Sequence, residues 1–284
     1  MTLRHISVST VAYDGYKIDI ALAEIAKFGI GLVEPAYIKS YMIFDETAFS
    51  DAAANTMVTK LKQHDLKSHS ISAHMDSGNA DAQDMLARRI RFAAGIGAKF
   101  VITNSTTVER RSDLQKVLET NLLLAENLGV TIALENPGNG PSNLMLDGKT
   151  GVALVQSFNS PSLRMNYDTA NALTCSEGET RPETDIDFAL PLAAHVHLKD
   201  VVRVDGHWRY VAIGQSELDY SVLLAKLKSH LEIPLTLELP LRLMRRFHQD
   251  PERSTELPDL EEVGATIRSS LNCVAKAFGD LPLI

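Results

Sequence analysis

The sequence predicts one domain of the α/β class, a closed (β/α)8 barrel. Short runs rich in β-branched residues recur about every 25 to 40 residues, and helical patterns lie between them. Such alternation is typical of parallel βαβ units. A doubly wound open sheet would show the same alternation, but eight strands and a length of 284 residues favour the barrel. No GxGxxG motif follows the first strand, so the best sign of a dinucleotide-binding sheet is missing.

Eight strands and eight helices are predicted in order. The strands lie near residues 4–9, 30–34, 68–74, 99–103, 130–135, 163–168, 194–198 and 234–238. The helices lie at 17–28, 46–64, 81–96, 112–128, 149–158, 185–191, 219–231 and 259–278. The segments KFGIG (27–31) and NLGV (127–130) place a glycine where a helix should end, because glycine adopts the left-handed conformation without strain.

Two segments interrupt this rhythm, and both follow predicted strands. Residues 173–184, LTCSEGETRPET, are polar and turn-rich, and predict a long irregular loop on the side of the barrel where active sites form. Residues 202–214 hold Asp-Gly between two alternating runs and predict an inserted β-hairpin. No linker-like stretch divides the chain, so residues 1–284 are expected to form a single domain.

Composition narrows the possible partners and location. A net charge of −8 disfavours a nucleic-acid partner, and the basic run RLMRRFH (242–248) is interpreted as a solvated surface segment. No apolar run is long enough to span a membrane, and the N-terminus lacks the apolar region of a signal peptide. Two cysteines without a CxxC motif fit free thiols in a reducing compartment. We therefore expect a cytoplasmic protein without membrane contact.

Ionisable residues end each of the last four predicted strands. They are Glu135, Asp168, the pair His195 and His197, and Glu238. Each alone has a structural explanation, such as capping the next helix or forming a salt bridge. Together they would meet on one rim of the barrel, where three carboxylates and an imidazole suit Mn²⁺, Mg²⁺ or Co²⁺ rather than a closed structural zinc. Alternation places both histidines on the same strand face, so geometry does not choose between them.

The same stretches resemble a known family. From IALENPG through NYDTAN, HVHLKD and GQSELDY to TLELP, the chain is similar to the xylose isomerase-like TIM barrels, the superfamily of sugar phosphate isomerases and epimerases. The nearest pattern is that of the ketose 3-epimerases. This resemblance implies a metal held by Glu135, Asp168, His197 and Glu238, and an acid/base pair formed by Glu135 and Glu238. We expect Mn²⁺, with Mg²⁺, Co²⁺ or Zn²⁺ as alternatives.

Further residues are candidates for binding the substrate. Arg203 matches a family arginine that supports the substrate, and His195, deeper in its strand than His197, is expected to support the site. His74 and Glu34 lie near the ends of predicted strands, where each would line a pocket or make a structural hydrogen bond. Asn171 stands three residues after the strand-end aspartate.

The chain also departs from the 3-epimerase pattern. Asn171 replaces a family histidine, and Lys199 and Asp200 replace a glycine and a glutamate. The HLKD segment occurs across the wider superfamily, including hydroxypyruvate isomerases and inosose dehydratase-like lyases. The resemblance therefore implies the family's metal site in this chain, but it does not imply the substrate of the 3-epimerases. A three-zinc nuclease of this fold would need a histidine at position 171, which argues against a role in DNA repair.

The resemblance predicts a metal-dependent sugar isomerase or epimerase that works through an enediolate. One alternative is a metal-dependent lyase that dehydrates a keto-sugar or keto-inositol. Another is a non-catalytic sugar-binding barrel, although binding alone would not need both Glu135 and Glu238. We also expect a homo-oligomer, either a dimer or a tetramer.

Overall fold

The computed structural model describes residues 4–137 and 142–279, which form a parallel barrel surrounded by helices. The barrel strands are β1 (Ile6–Ser9), β2 (Leu32–Glu34), β3 (Lys67–Ser68), β4 (Ser70–Ser72), β5 (Phe100–Asn104), β6 (Thr131–Glu135), β7 (Leu163–Asp168), β8 (Ala193–Leu198) and β11 (Leu235–Leu237). Their order in the sheet is β3-β2-β1-β11-β8-β7-β6-β5-β4. The predicted barrel is confirmed.

The barrel closes through a strand that is divided at His69. Its first half, β3, pairs with β2, and its second half, β4, pairs with β5. A bridge between Ala36 and Ser72 joins the two sides beyond β2. The predicted third strand is therefore present, but its first half pairs with one neighbouring strand and its second half with the other.

Nine helices occur in the described ranges. They are α1 (Ile18–Ala26), α2 (Asp51–Gln63), α3 (Ala82–Ile96), α4 (Arg111–Leu128), α5 (Gly148–Ser157), α6 (Thr169–Cys175), α7 (Pro182–Ala189), α8 (Tyr220–Lys228) and α9 (Leu260–Phe278). Side chains cap several of their first turns; Ser50 caps α2, Asp259 caps α9, and Asp147 forms a capping box with Thr150. Gly129 ends α4 in the left-handed conformation, as the sequence predicted. Within residues 4–137 and 142–279, every helix is too short or too polar to cross a bilayer.

The inside of the barrel is polar toward the carboxyl ends of the strands. Successive residues of a strand face opposite sides, so alternate residues point inward. Ser7 on β1 and Thr236 on β11 share a hydrogen bond of 2.6 Å across this interior. Apolar residues of the same strands, such as Val8 and Leu237, are buried in the hydrophobic core instead. This alternation delivers polar side chains to one end of the barrel.

A second sheet, here called the accessory sheet, follows β8. Its strands are β9 (Asp200–Val204), β10 (His207–Val211), β12 (Leu243–Arg246) and β13 (Glu252–Arg253), in the order β13-β12-β10-β9. The predicted hairpin is β9–β10, and its turn residues Asp205 and Gly206 both have positive φ, at 50° and 75°. The run at 242–248 is only partly the predicted surface segment, because β12 pairs with β10 and buries Leu243 and Arg245 while Arg246 and Phe247 stay exposed.

The predicted loop at 173–184 is shorter than expected. Helix α6 takes its first three residues and α7 its last three, which leaves 176–181 between them. The side chain of Asp168 accepts a hydrogen bond from the Asn171 backbone N–H at 2.8 Å and starts α6. Every residue of α6 is buried, so packing stabilises a helix that its polar sequence does not favour. Pro182 occupies the first turn of α7, a position that proline favours.

Candidate metal centre and active-site cleft

Four side chains from four neighbouring strands meet at the carboxyl end of the barrel. Glu135 ends β6, Asp168 ends β7, His197 lies near the end of β8, and Glu238 follows β11. Each offers one ligand atom, and these atoms all lie within 4.8 Å of one another. All four residues are buried. The structure thus brings together the set that the resemblance implied as metal ligands, and we refer to it as the four-residue cluster.

The imidazole of His197 faces three carboxylates with one nitrogen. Its Nδ1 lies 2.6 Å from Glu135 Oε2, 3.5 Å from Glu238 Oε2 and 3.9 Å from Asp168 Oδ2. Burial opposes a charge on the ring, but the negative charges of Glu238, Glu34 and Glu135 outweigh it and raise the pKa of His197 well above its usual value. Nδ1 faces the centre of the cluster, and a metal ion bound there would displace the proton from this nitrogen.

Glu34 lies behind His197 rather than on the cleft wall. Its Oε1 is 3.0 Å from His197 Nε2, and the hydroxyls of Ser70 and Ser72 donate to its two oxygens at 2.5 and 2.9 Å. Burial favours the neutral acid, but the charge of His197, its hydrogen bond and nearby His195 and Ser70 lower the pKa of Glu34 to about 2. A carboxylate bound to the second nitrogen sets the orientation of a ligating histidine.

The two carboxylate oxygens of Asp168 have different partners, one in helix α6 and the other in the four-residue cluster. Oδ1 accepts the capping hydrogen bond at the start of α6, while Oδ2 faces the cluster and lies 2.6 Å from Lys199 Nζ. Burial raises the pKa of Asp168 to about 7, and the charge of Lys199 only partly opposes this effect. The Asp168 carboxylate therefore caps helix α6 with one oxygen and contacts the Lys199 ammonium group with the other.

Lys199 places an ammonium group within the cluster. Its Nζ contacts Glu238 Oε2 as well as Asp168 Oδ2, and the side chain is buried. Burial alone would favour the neutral amine, but Asp168, Glu238 and Glu135 outweigh it and raise the pKa of Lys199 well above its usual value. Lys199 is therefore an internal ion-pair partner for two of the three carboxylates of the cluster, Asp168 and Glu238.

The donor set fits a divalent cation. Three carboxylates and one imidazole form an oxygen-rich set of the kind that suits hard divalent metals. Asp168 Oδ2 and His197 Nδ1 are buried and lack a well-directed hydrogen bond to any described residue, although each has the ionic contacts given above. The amides of Asn166 and Asn171 donate to Glu135 at 2.5 and 3.1 Å and so hold this carboxylate toward the cluster.

A cleft of about 360 Å³ opens above the cluster. Glu135 and Glu238 lie on its floor, and its lining includes Asn171 and His74. His74 Nδ1 lies 3.1 Å from the side-chain oxygen of Asn104. Its Nε2 lies 3.9 Å from Glu135 and 4.0 Å from Glu238 and has no hydrogen-bond partner among the described residues. The free nitrogen of His74 thus faces the space between the two glutamates.

Two other predicted site residues lie away from the cleft. His195 is buried one layer deeper in the barrel, where it lies 2.8 Å from the Asn166 side-chain oxygen and 3.0 Å from the Thr236 hydroxyl. Burial lowers the pKa of His195 to about 3, so the ring is neutral. Arg203 lies on the accessory sheet with 47% of its side chain exposed, stacks near Trp208, and is not part of the cleft lining.

Comparison with known proteins identifies the class of this barrel. The xylose isomerase-like TIM barrel family matches residues 22–259. The chain belongs to this family. The predicted resemblance is therefore confirmed, and no curated protein sequence adds a significant match.

Three solved structures illustrate the likeness. D-psicose 3-epimerase in the presence of D-fructose gives a TM-score of 0.72 at 14% identity, covering 97% of this chain and 99% of that chain. The probable 3-DHS dehydratase AsbF from Bacillus anthracis gives 0.68 at 13% identity, covering 93% and 97%. The IOLI protein with a binding zinc atom gives 0.67 at 18% identity, covering 97% and 99%. At these identities the likeness establishes the fold alone.

Sequence reasoning assigned no site role to three residues of this xylose isomerase-like barrel. Asn166 precedes Asp168 by two positions, and Lys199 follows His197 by two, so strand alternation already placed each beside a predicted ligand. Arg245, which lines the cleft, gave no such signal, because its position depends on the pairing of β12 with β10.

Proposed function

We propose that this barrel is a divalent-metal-dependent isomerase or epimerase that acts on a sugar or a sugar derivative through an enediolate. The observation that supports the proposal is the convergence of Glu135 and Glu238 with Asp168 and His197 at the floor of the cleft. A protein that only binds sugars would not need two buried glutamates at the same point, whereas a proton transfer uses one of them as the base and the other as the acid.

Glu135, Asp168, His197 and Glu238 would hold the metal, for which we propose Mn²⁺ first and Mg²⁺, Co²⁺ or Zn²⁺ as alternatives. When bound, the cation would polarise a substrate carbonyl and so acidify the neighbouring C–H bond. Glu34 would keep Nδ1 of His197 directed at the cluster, and Asn166 and Asn171 would do the same for Glu135.

The two glutamates would carry the proton. One of them removes the proton from the carbon beside the carbonyl, and the electron pair of that C–H bond moves onto the carbonyl to form the enediolate. If the other glutamate returns a proton to the opposite face of the same carbon, the product is an epimer. If the proton returns to the adjacent carbon, the product is the isomeric aldose or ketose.

Other residues would bind or position the substrate. His74 and Asn171 line the cleft beside the glutamates and would contact substrate hydroxyls. His195 would support the floor from one layer below. A substrate contact by Arg203 stays a prediction, since this side chain lies outside the cleft lining.

Dehydration of a keto-sugar or keto-inositol is the second candidate. It would start from the same enediolate and expel a β-hydroxyl, which needs a proton as it leaves. The observation in its favour is His74, whose Nε2 has no hydrogen-bond partner in the described structure and faces both glutamates. A new ultraviolet absorption from a conjugated product would distinguish dehydration from isomerisation.

Removal of the metal provides the direct test. We expect the purified protein to contain a divalent metal and to exchange deuterium from D₂O into the carbon next to a ketose carbonyl. An excess of EDTA should reduce this exchange to background, and Asp168→Asn should weaken metal affinity because it removes a negative ligand. Absence of metal by elemental analysis, together with full exchange in EDTA, would contradict the proposed function.

A cytoplasmic location and a dimeric or tetrameric assembly stay predictions. Light scattering coupled to size-exclusion chromatography would measure the mass of the assembly, which a 31.2 kDa chain makes easy to interpret.

A further inference from the structure

The accessory sheet forms one wall of the cleft and brings an arginine to it. Tyr210 on β10, and Leu243 and Arg245 on β12, all line the cleft. The Tyr210 ring lies 5.9 Å from Lys199 Nζ, so this wall adjoins the four-residue cluster. The cleft therefore has a floor built by the barrel and a side wall built by the accessory sheet.

Arg245 is a buried cation in the wall of the cleft. Only 7% of the residue is exposed, and its Nη1 donates to the backbone carbonyl of Gln249 at 2.6 Å. Its Nε is buried and has no hydrogen-bond partner in the part of the chain that the structure describes. Across residues 4–137 and 142–279, no carboxylate lies within 4.0 Å of this guanidinium. Arginine stays charged in proteins, and an unpaired buried charge is costly, so the position calls for an anion.

Trp208 adds a second unsatisfied donor beside Arg245. The two residues are directly opposite in the β10–β12 pair, so their side chains share one face of the sheet. The indole Nε1 of Trp208 is also buried without a hydrogen-bond partner among the described residues. Trp208 Nε1 and Arg245 Nε are thus two buried N–H donors on this face that no acceptor of the described residues satisfies.

The two lysines of the cleft lining each have a carboxylate partner. Lys199 is engaged by Asp168 and Glu238, and Lys39, at the rim, pairs with Glu46. Asp250 also lines the cleft, at a distance of more than 4.0 Å from the Arg245 guanidinium. Arg245 is therefore the cation of the described cleft lining that has no carboxylate partner.

We propose that Arg245 binds an anionic group of the substrate, so that the substrate is an acidic sugar derivative bearing a carboxylate or a phosphate. This inference rests on the proposed function only in taking the cleft as the substrate site. A guanidinium presents a planar fork of donors that matches the oxygens of a carboxylate or a phosphate. The ketose end would lie at the four-residue cluster and the anionic end at the accessory sheet.

Calorimetry on the Mn²⁺-loaded protein tests this assignment with three ligands that differ in one group. D-Fructose is neutral, D-fructose 6-phosphate carries a phosphate, and D-fructuronate carries a carboxylate. We expect at least one anionic ligand to bind more tightly than D-fructose, and comparison of the two identifies the anion. Arg245→Gln should weaken that ligand about 10- to 100-fold, as expected for lost hydrogen bonds to a charged group, and leave D-fructose unchanged.

Arg246→Gln is the matched control, because it removes the same charge from the next residue, whose side chain is exposed. It should change no Kd by more than about twofold. Arg245→Gln should also leave the melting temperature unchanged or higher, because it removes an unpaired buried charge. A loss of melting temperature in Arg245→Gln would show a structural role for the arginine instead.

Equal binding of neutral and anionic ligands by the wild type would overturn the assignment, as would equal losses in the two variants. A different result would contradict the proposed function. If the protein has no bound metal and no deuterium exchange, the metal chemistry is wrong, even if Arg245→Gln still weakens the binding of inorganic phosphate. Normal metal content and exchange, with binding indifferent to Arg245→Gln, overturns only the anion site.

Discussion

Two buried cations face the same cleft, and they differ in what neutralises them. Lys199, on the barrel floor, contacts the carboxylates of Asp168 and Glu238. Arg245, on the accessory sheet, has a backbone carbonyl as its hydrogen-bond acceptor and no carboxylate partner in the described ranges. The cation of the floor is thus paired within the chain, whereas the cation of the wall has no carboxylate within 4.0 Å among the described residues. A buried charge is costly unless it is paired, and at the wall of a cleft a ligand can supply the missing counter-charge.

The largest effect is expected from a change on the floor, Glu238→Gln. The amide keeps an oxygen that can coordinate, but it cannot accept the C–H proton, so turnover should fall by about 10²–10⁴-fold. The loss of a ligand charge should move the result toward the upper end. Deuterium exchange, metal content and melting temperature should be measured on the same sample.

If Glu238 has only a structural role, the outcome would be different. Glu238→Gln would then lower the melting temperature, and the folded fraction would keep the wild-type rate of deuterium exchange. A folded, metal-loaded Glu238→Gln protein that exchanges deuterium at the wild-type rate would exclude the acid/base role.

The second test removes the internal cation. Lys199→Met should raise the affinity for Mn²⁺ about 10- to 100-fold, because the ammonium and the metal repel each other near the same carboxylates. The metal-free variant should melt at a lower temperature, since Asp168 and Glu238 lose their partner, and added Mn²⁺ should restore it. Titration calorimetry measures the affinity. Weaker Mn²⁺ binding in the variant would show that Lys199 supports the metal site instead of competing with it.

A third buried cation sharpens the comparison, because it lies outside the cleft. Arg89 is fully buried, stacks on Phe49, and pairs with Glu46 at 2.6 Å. Glu46→Ala should lower the free energy of unfolding by roughly 1–3 kcal/mol, the cost of leaving a charged donor unsatisfied. Urea denaturation measures this change, with Glu126→Ala on the exposed face of α4 as the control. A neutral result for Glu46→Ala would mean that a buried arginine needs no counter-charge here, which would weaken the argument for Arg245.

The smallest effect is expected at residues 176–181, between α6 and α7. We expect this segment, the remaining part of the predicted loop at 173–184, to close against the bound substrate, because lids of this kind exclude water from reactive intermediates. Cleavage by a glutamate-specific protease after Glu177 and Glu179 should then slow a few-fold when a tight ligand is bound. Equal cleavage rates with and without the ligand would contradict the closure.

The sequence by itself determined the barrel and most of its floor. Strand periodicity and strand ends are local features, so they placed Glu135, Asp168 and Glu238 on one rim without any knowledge of the fold in detail. The same periodicity put Lys199 and Asn166 on the correct faces, although their roles depended on side-chain contacts. Even the choice of His197 over His195 needed the family resemblance, because both face inward.

Only the tertiary structure decided how those residues are used. Glu34 contacts His197 because β2 and β8 belong to the same closed sheet. No local sequence pattern predicts a contact between residues this far apart in the chain. Residues 173–175 became helical because packing outweighed their weak propensity. Arg245 entered the cleft because β12 paired with β10, which buried this one arginine of a basic run whose next residue, Arg246, stays exposed.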